Sequence, residues 1–275
     1  MENNIYIIGT TAINRPDLHN IVIPKWKKWL LESCGKIKWF INIDILDILQ
    51  DSYEITKKNF ENLLEDSKIE LVILEQQYNK FLGACKNLSE NIKNYVENNN
   101  LDKNNLKIIW LEDDWDLIED PPKFSELEKY CFGKTHLNLS GIKNNYIWAL
   151  APSILTYEFW VNIFYVAWKN QNIDQCPEKS IGNYYQSKYC NHENTQNIIL
   201  LREKIEQQVL KDMIFKNTKI VNLNQDYISN QEILFIKLFP YITFDIGIEY
   251  MQNKNIKKKY IKKNRNQIVI EYKML

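Results

Sequence analysis

An α/β layered fold is the class this sequence predicts. Two observations carry it. Short apolar runs of strand length alternate in order with helical patterns through the first half of the chain. The composition is that of a packed globular protein: 275 residues, 45% hydrophobic and 13% aromatic, with 7 Gly. That length supports one large domain or two small ones. A disordered chain would be poorer in aromatics, and a collagen or Gly/Ser chain far richer in Gly.

The elements follow in order. Ile5 to Gly9 is an apolar run ending in Gly, a buried strand. Asp17 to Glu32 carries Leu18, Ile21, Val22, Trp26, Trp29 and Leu30 near helical spacing, with Pro24 marking a true start or a kink. Ile37 to Ile45 is a second strand, Lys57 to Glu65 a short helix, and Glu70 to Leu74 a third strand. Leu82, Cys85, Leu88, Ile92, Tyr95 and Val96 place a helix over about 80 to 97. Lys107 to Leu111 is a fourth strand. His136 to Leu139 and Tyr146 to Ala151 read as short strands, Tyr157 to Trp168 and Glu193 to Phe215 as helices, and Gln267 to Tyr272 as a last strand. No internal repeat is evident.

Charge and cysteine usage exclude several classes. Thirty-five basic residues balance 35 acidic ones, so a general nucleic-acid coat is not expected. No uncharged run reaches the ~18 to 20 apolar residues of a membrane helix. The start, Met1-Glu2-Asn3-Asn4, lacks the basic opening of a signal peptide. The five Cys (34, 85, 131, 176 and 190) are widely spaced with no Cys-x-x-Cys pair, which argues against a disulfide framework or zinc site and fits a reducing cytoplasm. The Asn-x-Ser sequences at Asn87 and Asn138 are then not glycosylated. Only Arg15, Arg202 and Arg265 are Arg; the other basic residues are Lys. With abundant Ile and Asn, this suits an AT-rich genome.

The strongest chemical signal is Ile108-Ile109-Trp110-Leu111-Glu112-Asp113-Asp114-Trp115-Asp116. A buried strand delivers four carboxylates in five residues to one sheet edge. Such charges repel and disfavour one another's ionisation. A hard cation such as Mg²⁺ or Mn²⁺ relieves this, taking one or two carboxylates and filling its other positions with phosphate oxygens and water. Ligands in open α/β sheets bind beyond the carboxyl ends of the strands. The plainer alternative is a solvated acidic turn.

The motif resembles the acidic metal motif of GT-A nucleotide-sugar glycosyltransferases, in a Glu-Asp-Asp variant. Three further segments are similar to that family. Ile7 to Pro16, with Thr10, Thr11, Asn14 and Arg15, resembles the first strand and nucleotide loop. Phe40-Ile41-Asn42-Ile43-Asp44 resembles the second strand with its terminal acid. Gly83-Ala84-Cys85-Lys86-Asn87 resembles a Gly-x-x-Arg-Asn stretch, with Lys86 where Arg is commoner. The resemblance covers residues 5 to 120 well and the rest by order of elements. Small enzymes of this kind occur in large DNA viruses.

The resemblance implies a Rossmann-like αβα mixed sheet in one domain over 1–250. About 1–120 would bind the nucleotide sugar and about 121–250 the acceptor, with 251–275 a basic C-terminal segment. It implies Mn²⁺ or Mg²⁺ at Asp114, with a nucleotide-diphosphate sugar, a UDP-sugar first among them, as donor. Asp113 would touch the ribose or assist the metal, and Glu112 would orient the strand end. Thr10, Thr11, Asn14, Arg15, Lys86 and Asn87 would line the nucleotide site, with Asp44 on the base. The cation stabilises the departing diphosphate. The transfer would be inverting, which needs a base for the acceptor hydroxyl. Glu178 is the first candidate, Asp174 the second and Glu158 the third; the alternative for Glu178 is a first-turn helix residue. Trp115 and Trp148 are candidates to stack on an acceptor glycan, and either could instead be core.

Many enzymes of this fold add a late His ligand, but His19, His136 and His192 all precede the last 80 residues. Water or Asp245 is expected in its place. The seven basic residues in 253–265 read as a solvated face, a segment closing over the diphosphate, or an anionic contact. Lys257, Lys258, Lys259, Lys262 and Lys263 would share one side of a helix.

Other functions stay open. A sugar nucleotidyltransferase usually has a Gly-rich phosphate loop, and Gly9 stands alone. A metal-dependent phosphohydrolase normally draws acids from several strands. An inactive transferase-like protein would bind nucleotide without turnover.

Overall fold

The structure is a computed structural model that describes residues 5–74, 80–128, 131, 135–140, 150–189, 221–222, 235–238, 242–262 and 268–274. Four parallel strands form its first half: β1 (Ile5–Ile13), β2 (Lys36–Asp44), β3 (Ile69–Leu74) and β4 (Lys107–Glu112). Helices α1 (Pro16–Leu31), α2 (Tyr53–Leu63) and α3 (Phe81–Asn98) connect them. After β5 (Trp115–Leu117) and α4 (Phe124–Glu128) come β6 (Thr135–Asn138) and β7 (Ser153–Thr156). The chain then forms α5 (Tyr157–Phe159), a π-helical stretch (Trp160–Tyr165), α6 (Val166–Lys169) and α7 (Pro177–Tyr189). Last come β8 (Val221–Asn222), β9 (Phe235–Leu238), β10 (Thr243–Asp245), α8 (Gly247–Asn253), β11 (Ile256–Lys262) and β12 (Ile268–Met274).

The main sheet runs β3-β2-β1-β4-β7-β6-β9-β8. β7 pairs antiparallel with both β4 and β6, so the sheet is mixed, as expected. Helices cover both faces. Ile7, Ile108, Trp110 and Leu155 pack with Leu82, Cys85, Leu88 and Ile92 of α3. The alternate residues Ile8, Ile109, Leu111 and Ile154 pack with Leu18, Val22, Trp26 and Leu30 of α1. Period-two alternation with both faces buried explains why these strands read as continuous apolar runs. Gly9 lets α3 approach: a Cβ there would meet Ile92 Cδ1 at 2.9 Å.

Several elements differ from expectation. α1 starts at Pro16 and continues through Pro24. Burial of Leu18, Val22, Trp26, Trp29 and Leu30 on both sides of Pro24 outweighs the helical hydrogen bond it removes. α2 starts at Tyr53, where Ser52 caps it by accepting from Ile55 N at 3.3 Å. The expected strand 146–151 lies largely outside the described residues; Leu150 and Ala151 are not in a strand, and the strand next to β4 is Ser153–Thr156. That four-residue run merges with the helix after it, and only the Thr156 cap separates them. The expected helix 193–215 also lies outside the described residues.

The described part of the basic stretch after Asn255 is not helical, and Lys263 and Arg265 lie outside the described residues. Ile256–Lys262 is a strand paired antiparallel with Ile268–Met274, placing Tyr260 opposite Ile270. Pairing with a partner strand overrides the helical spacing of its lysines. No helix among the described residues is long and apolar enough to cross a membrane.

Candidate active site at the sheet edge

The acidic motif sits where β4 leaves the sheet. Asp113 continues the ladder, its N–H donating to Thr11 O at 3.1 Å, and its side chain turns inward. Its carboxylate accepts from Ile13 N at 3.0 Å, Arg15 Nε at 3.0 Å and Arg15 Nη2 at 2.5 Å, and pairs with His19 Nε2 at 2.7 Å. Burial pushes this carboxyl up, but Arg15 and His19 outweigh it and hold it well below the usual carboxylate range. Asp116 is answered by Lys25 at 2.5 Å and by Leu117 N at 2.9 Å. Glu112 accepts from Trp115 Nε1 at 2.9 Å. The repulsion read from the sequence is therefore largely relieved by the chain's own donors.

Asp114 differs. It shares Arg15, at 2.9 Å, and its carboxyl is shifted upward. Burial is the main cause; Asp113 and Asp245 add to it, and Arg15 opposes it. Asp245 reaches this point because β10 pairs antiparallel with β5, with Asp245 opposite Trp115. Asp114 O accepts from Ile246 N at 2.9 Å, and Asp245 Oδ1 accepts from Gly247 N at 2.8 Å. A Cβ at Gly247 would overlap the Asp114 carboxylate, so only Gly allows this packing.

The parallel register brings other expected residues to the same edge. Asp44 ends β2 opposite Ile13, and Glu112 ends β4 opposite Thr11. Thr11 is buried, and its Oγ1 meets no partner among the described residues. Thr10 faces the core instead, accepting from Trp39 Nε1 at 2.8 Å. Asn14 is consumed by the following loop: its amide donates to Asp51 O at 2.6 Å and Leu46 O at 3.2 Å and accepts from Leu46 N at 2.8 Å. Arg15 is committed to Asp113 and Asp114. Lys86 donates to Gln171 O at 2.6 Å, and Asn87 donates to Asn42 Oδ1 at 2.8 Å.

Glu178 is half-buried in the first turn of α7, and accepts from the Cys176 thiol at 2.9 Å. Cys85 is buried in the first turns of α3. Burial pushes that thiol up, and Glu178, Glu112 and Asp44 add to the shift. Asp174 pairs with Lys80 at the start of α3. Trp115 is half-buried, its indole held by Glu112 and its carbonyl accepting from Trp26 Nε1 at 2.8 Å. Trp148 and His192 lie outside the described residues. The sequence reading missed His19, Lys25 and Asn42 as parts of the site. His19 lies four residues after Arg15, on the same helix face, which was a readable signal.

Among the described residues no group of three or more His, Cys, Asp or Glu side chains converges to hold a metal. Two carboxylates, Asp114 and Asp245, retain mutual repulsion at the edge. That donor set does not make a closed protein cage. It fits Mg²⁺ or Mn²⁺, which are held by one or two carboxylates and complete their shells with water and phosphate.

No protein-family model matches the chain, and no curated protein matches it in sequence. Solved structures similar to it include the WbbM bifunctional glycosyltransferase in its apo form, at 8% identity and TM-score 0.34 over 62% of this chain and 34% of that one. The galactosyltransferase LgtC, solved with donor and acceptor sugar analogues, is 10% identical at TM-score 0.36 over 64% of this chain and 69% of that one. A 4-diphosphocytidyl-2C-methyl-D-erythritol synthase is 7% identical at TM-score 0.37 over 65% of this chain and 85% of that one. The match thus spans about a third of the WbbM chain. At these TM-scores the likenesses carry no argument about chemistry.

Proposed function

We propose that the chain is a metal-dependent glycosyltransferase that moves a sugar from a nucleotide-diphosphate sugar to a hydroxyl acceptor with inversion. The observation that supports this reading is the pair of carboxylates Asp114 and Asp245 presented where β4 leaves the sheet, beside Arg15, with Asp44 and Glu112 ending β2 and β4. Asp114, with Asp245, would hold Mn²⁺ or Mg²⁺, which supplies positive charge to the leaving diphosphate. Asp113 and Arg15 fix the turn that presents Asp114. Asp44 accepts a donor from the base or ribose. Glu178 takes the proton of the acceptor hydroxyl as it attacks the anomeric carbon, and Trp115 offers a half-buried ring beside the path.

A thermal-shift screen of nucleoside diphosphates with and without Mn²⁺ tests the reading. A ligand at 100 times its dissociation constant stabilises by about 2.7 kcal/mol. A Mn²⁺-requiring shift that Asp114→Asn removes supports it, and no shift with any nucleotide refutes it. One observation favours a second reading, nucleotide binding without metal: Arg15 already pairs with Asp114. In that case the shift persists in EDTA.

A further inference from the structure

β3 is the outermost strand at one side of the main sheet, and among the described residues it pairs with β2 alone. The ladder fixes which of its main-chain groups are used. Ile37 N donates to Lys68 O at 2.8 Å, with Ile37 opposite Ile69. In a parallel ladder alternate residues of a strand bond to the partner. Lys68, Glu70, Val72 and Leu74 therefore turn their main chain toward β2, and Ile69, Leu71 and Ile73 turn theirs outward. Among the described residues the main-chain N–H and C=O of Leu71 and Ile73 meet no partner. The side chains of Ile69, Leu71 and Ile73 are half-buried against the core that α1 covers.

An open row of this kind is a template for another strand. Native edges are commonly kept apart by Lys or Pro, and Ile69–Leu74 contains neither. Its one charge, Glu70, is paired with Lys38 of β2.

The row is complementary to itself. The outward residues read Ile-Leu-Ile in either direction. An antiparallel partner strand related by a two-fold axis at Leu71 sets Leu71 opposite its own copy. It sets Ile69 opposite Ile73 of the second copy, and Ile73 opposite Ile69. All of these cross-strand pairs are apolar and share one face of the sheet, where such pairs stabilise an antiparallel joint. On the other face Glu70 falls opposite Val72 of the second copy. The two Glu70 are then diagonal neighbours, and each is already answered by its own Lys38. We propose that β3 is a self-association edge, through which two copies of this chain join antiparallel about Leu71 into one continuous sheet. The two-fold contact uses up the edge on both sides, so association through it stops at the dimer.

Sedimentation velocity of the full chain over a range of concentrations tests this. Wild type is expected to sediment as a dimer. Leu71→Lys and Leu71→Glu each set like charges opposite one another at the axis, and each is expected to weaken dimerisation by about tenfold or more. Mixed in equal amounts, the two variants are expected to form a dimer again, because Lys then faces Glu. General damage to the fold does not produce that restoration. Leu71→Pro serves if the charged variants do not fold. Residue 71 directs its N–H outward, so proline removes a bond between copies and spares the ladder to β2. It should weaken dimerisation with little change in melting temperature. A wild type that stays monomeric at every concentration overturns the proposal. So does a dimer that survives unchanged in the folded variants, or a mixture of the folded Lys and Glu variants that stays monomeric.

Discussion

Asp113 and Asp114 are neighbours with opposite fates, and the difference follows from what each touches. Asp113 takes donors from Ile13, Arg15 and His19 and is nearly inaccessible. Removing its charge strands a buried guanidinium. Asp113→Asn should therefore cost about 3–5 kcal/mol, read from urea melts at pH 7. Its depressed titration also sets a pH sign. The stabilisation is full above the unfolded value of about 4 and is lost as pH falls through the lower folded value. Asp114 is shifted the other way, so its charge works against folding at neutral pH. Asp114→Asn should leave the melting temperature equal to wild type or higher while Mn²⁺-dependent nucleotide binding is lost. A drop in melting temperature matching that of Asp113→Asn would contradict this division of roles.

Among the elements, α1 and β6 carry the clearest tests. Pro24 is exposed inside α1, where it removes one helical hydrogen bond. Pro24→Ala should stabilise by about 1–3 kcal/mol in thermal melts. His136 on β6 is fully buried, with Nε2 2.9 Å from Ser153 Oγ. Burial lowers its pKa to about 3. Between that value and about 6.5 the unfolded chain binds a proton that the folded chain refuses, so stability falls as pH drops, by about 1.4 kcal/mol per unit. His136→Gln should flatten that part of the stability profile. The parallel strands and α3 were legible in the sequence because both faces of the sheet are covered and α3 has a long apolar stripe. β7 and α7 were not: β7 is four residues with no break before its helix, and the polar α7 is placed by packing behind α3 and the π-helical stretch rather than by its own pattern. The hairpin of β11 and β12 depends on a distant partner strand, which local spacing does not encode.

At the scale of the whole molecule, the sheet edge gathers carboxylates from separate parts of the chain: Asp44 from β2, Glu112 and Asp114 from the end of β4, and Asp245 from β10. The acidic run of β4 and the acid ending β2 were visible in sequence as local motifs. Their counter-charges were not, because Arg15, His19 and Lys25 reach them only through the packing of α1 against the end of β4. That packing answers Asp113 with Arg15 and His19 and Asp116 with Lys25, while Asp114 and Asp245 still repel one another. The most direct test is turnover: incubate the chain with UDP-sugars and a hydroxyl acceptor in Mn²⁺, measure UDP release, and read the anomeric configuration of the product by proton NMR. The prediction is acceptor-dependent UDP release with inverted configuration, abolished in Asp114→Asn and reduced at least a hundredfold in Glu178→Gln with donor binding retained. Turnover unchanged in both variants, or a product of retained configuration, would contradict the assignment of cation and base to this edge.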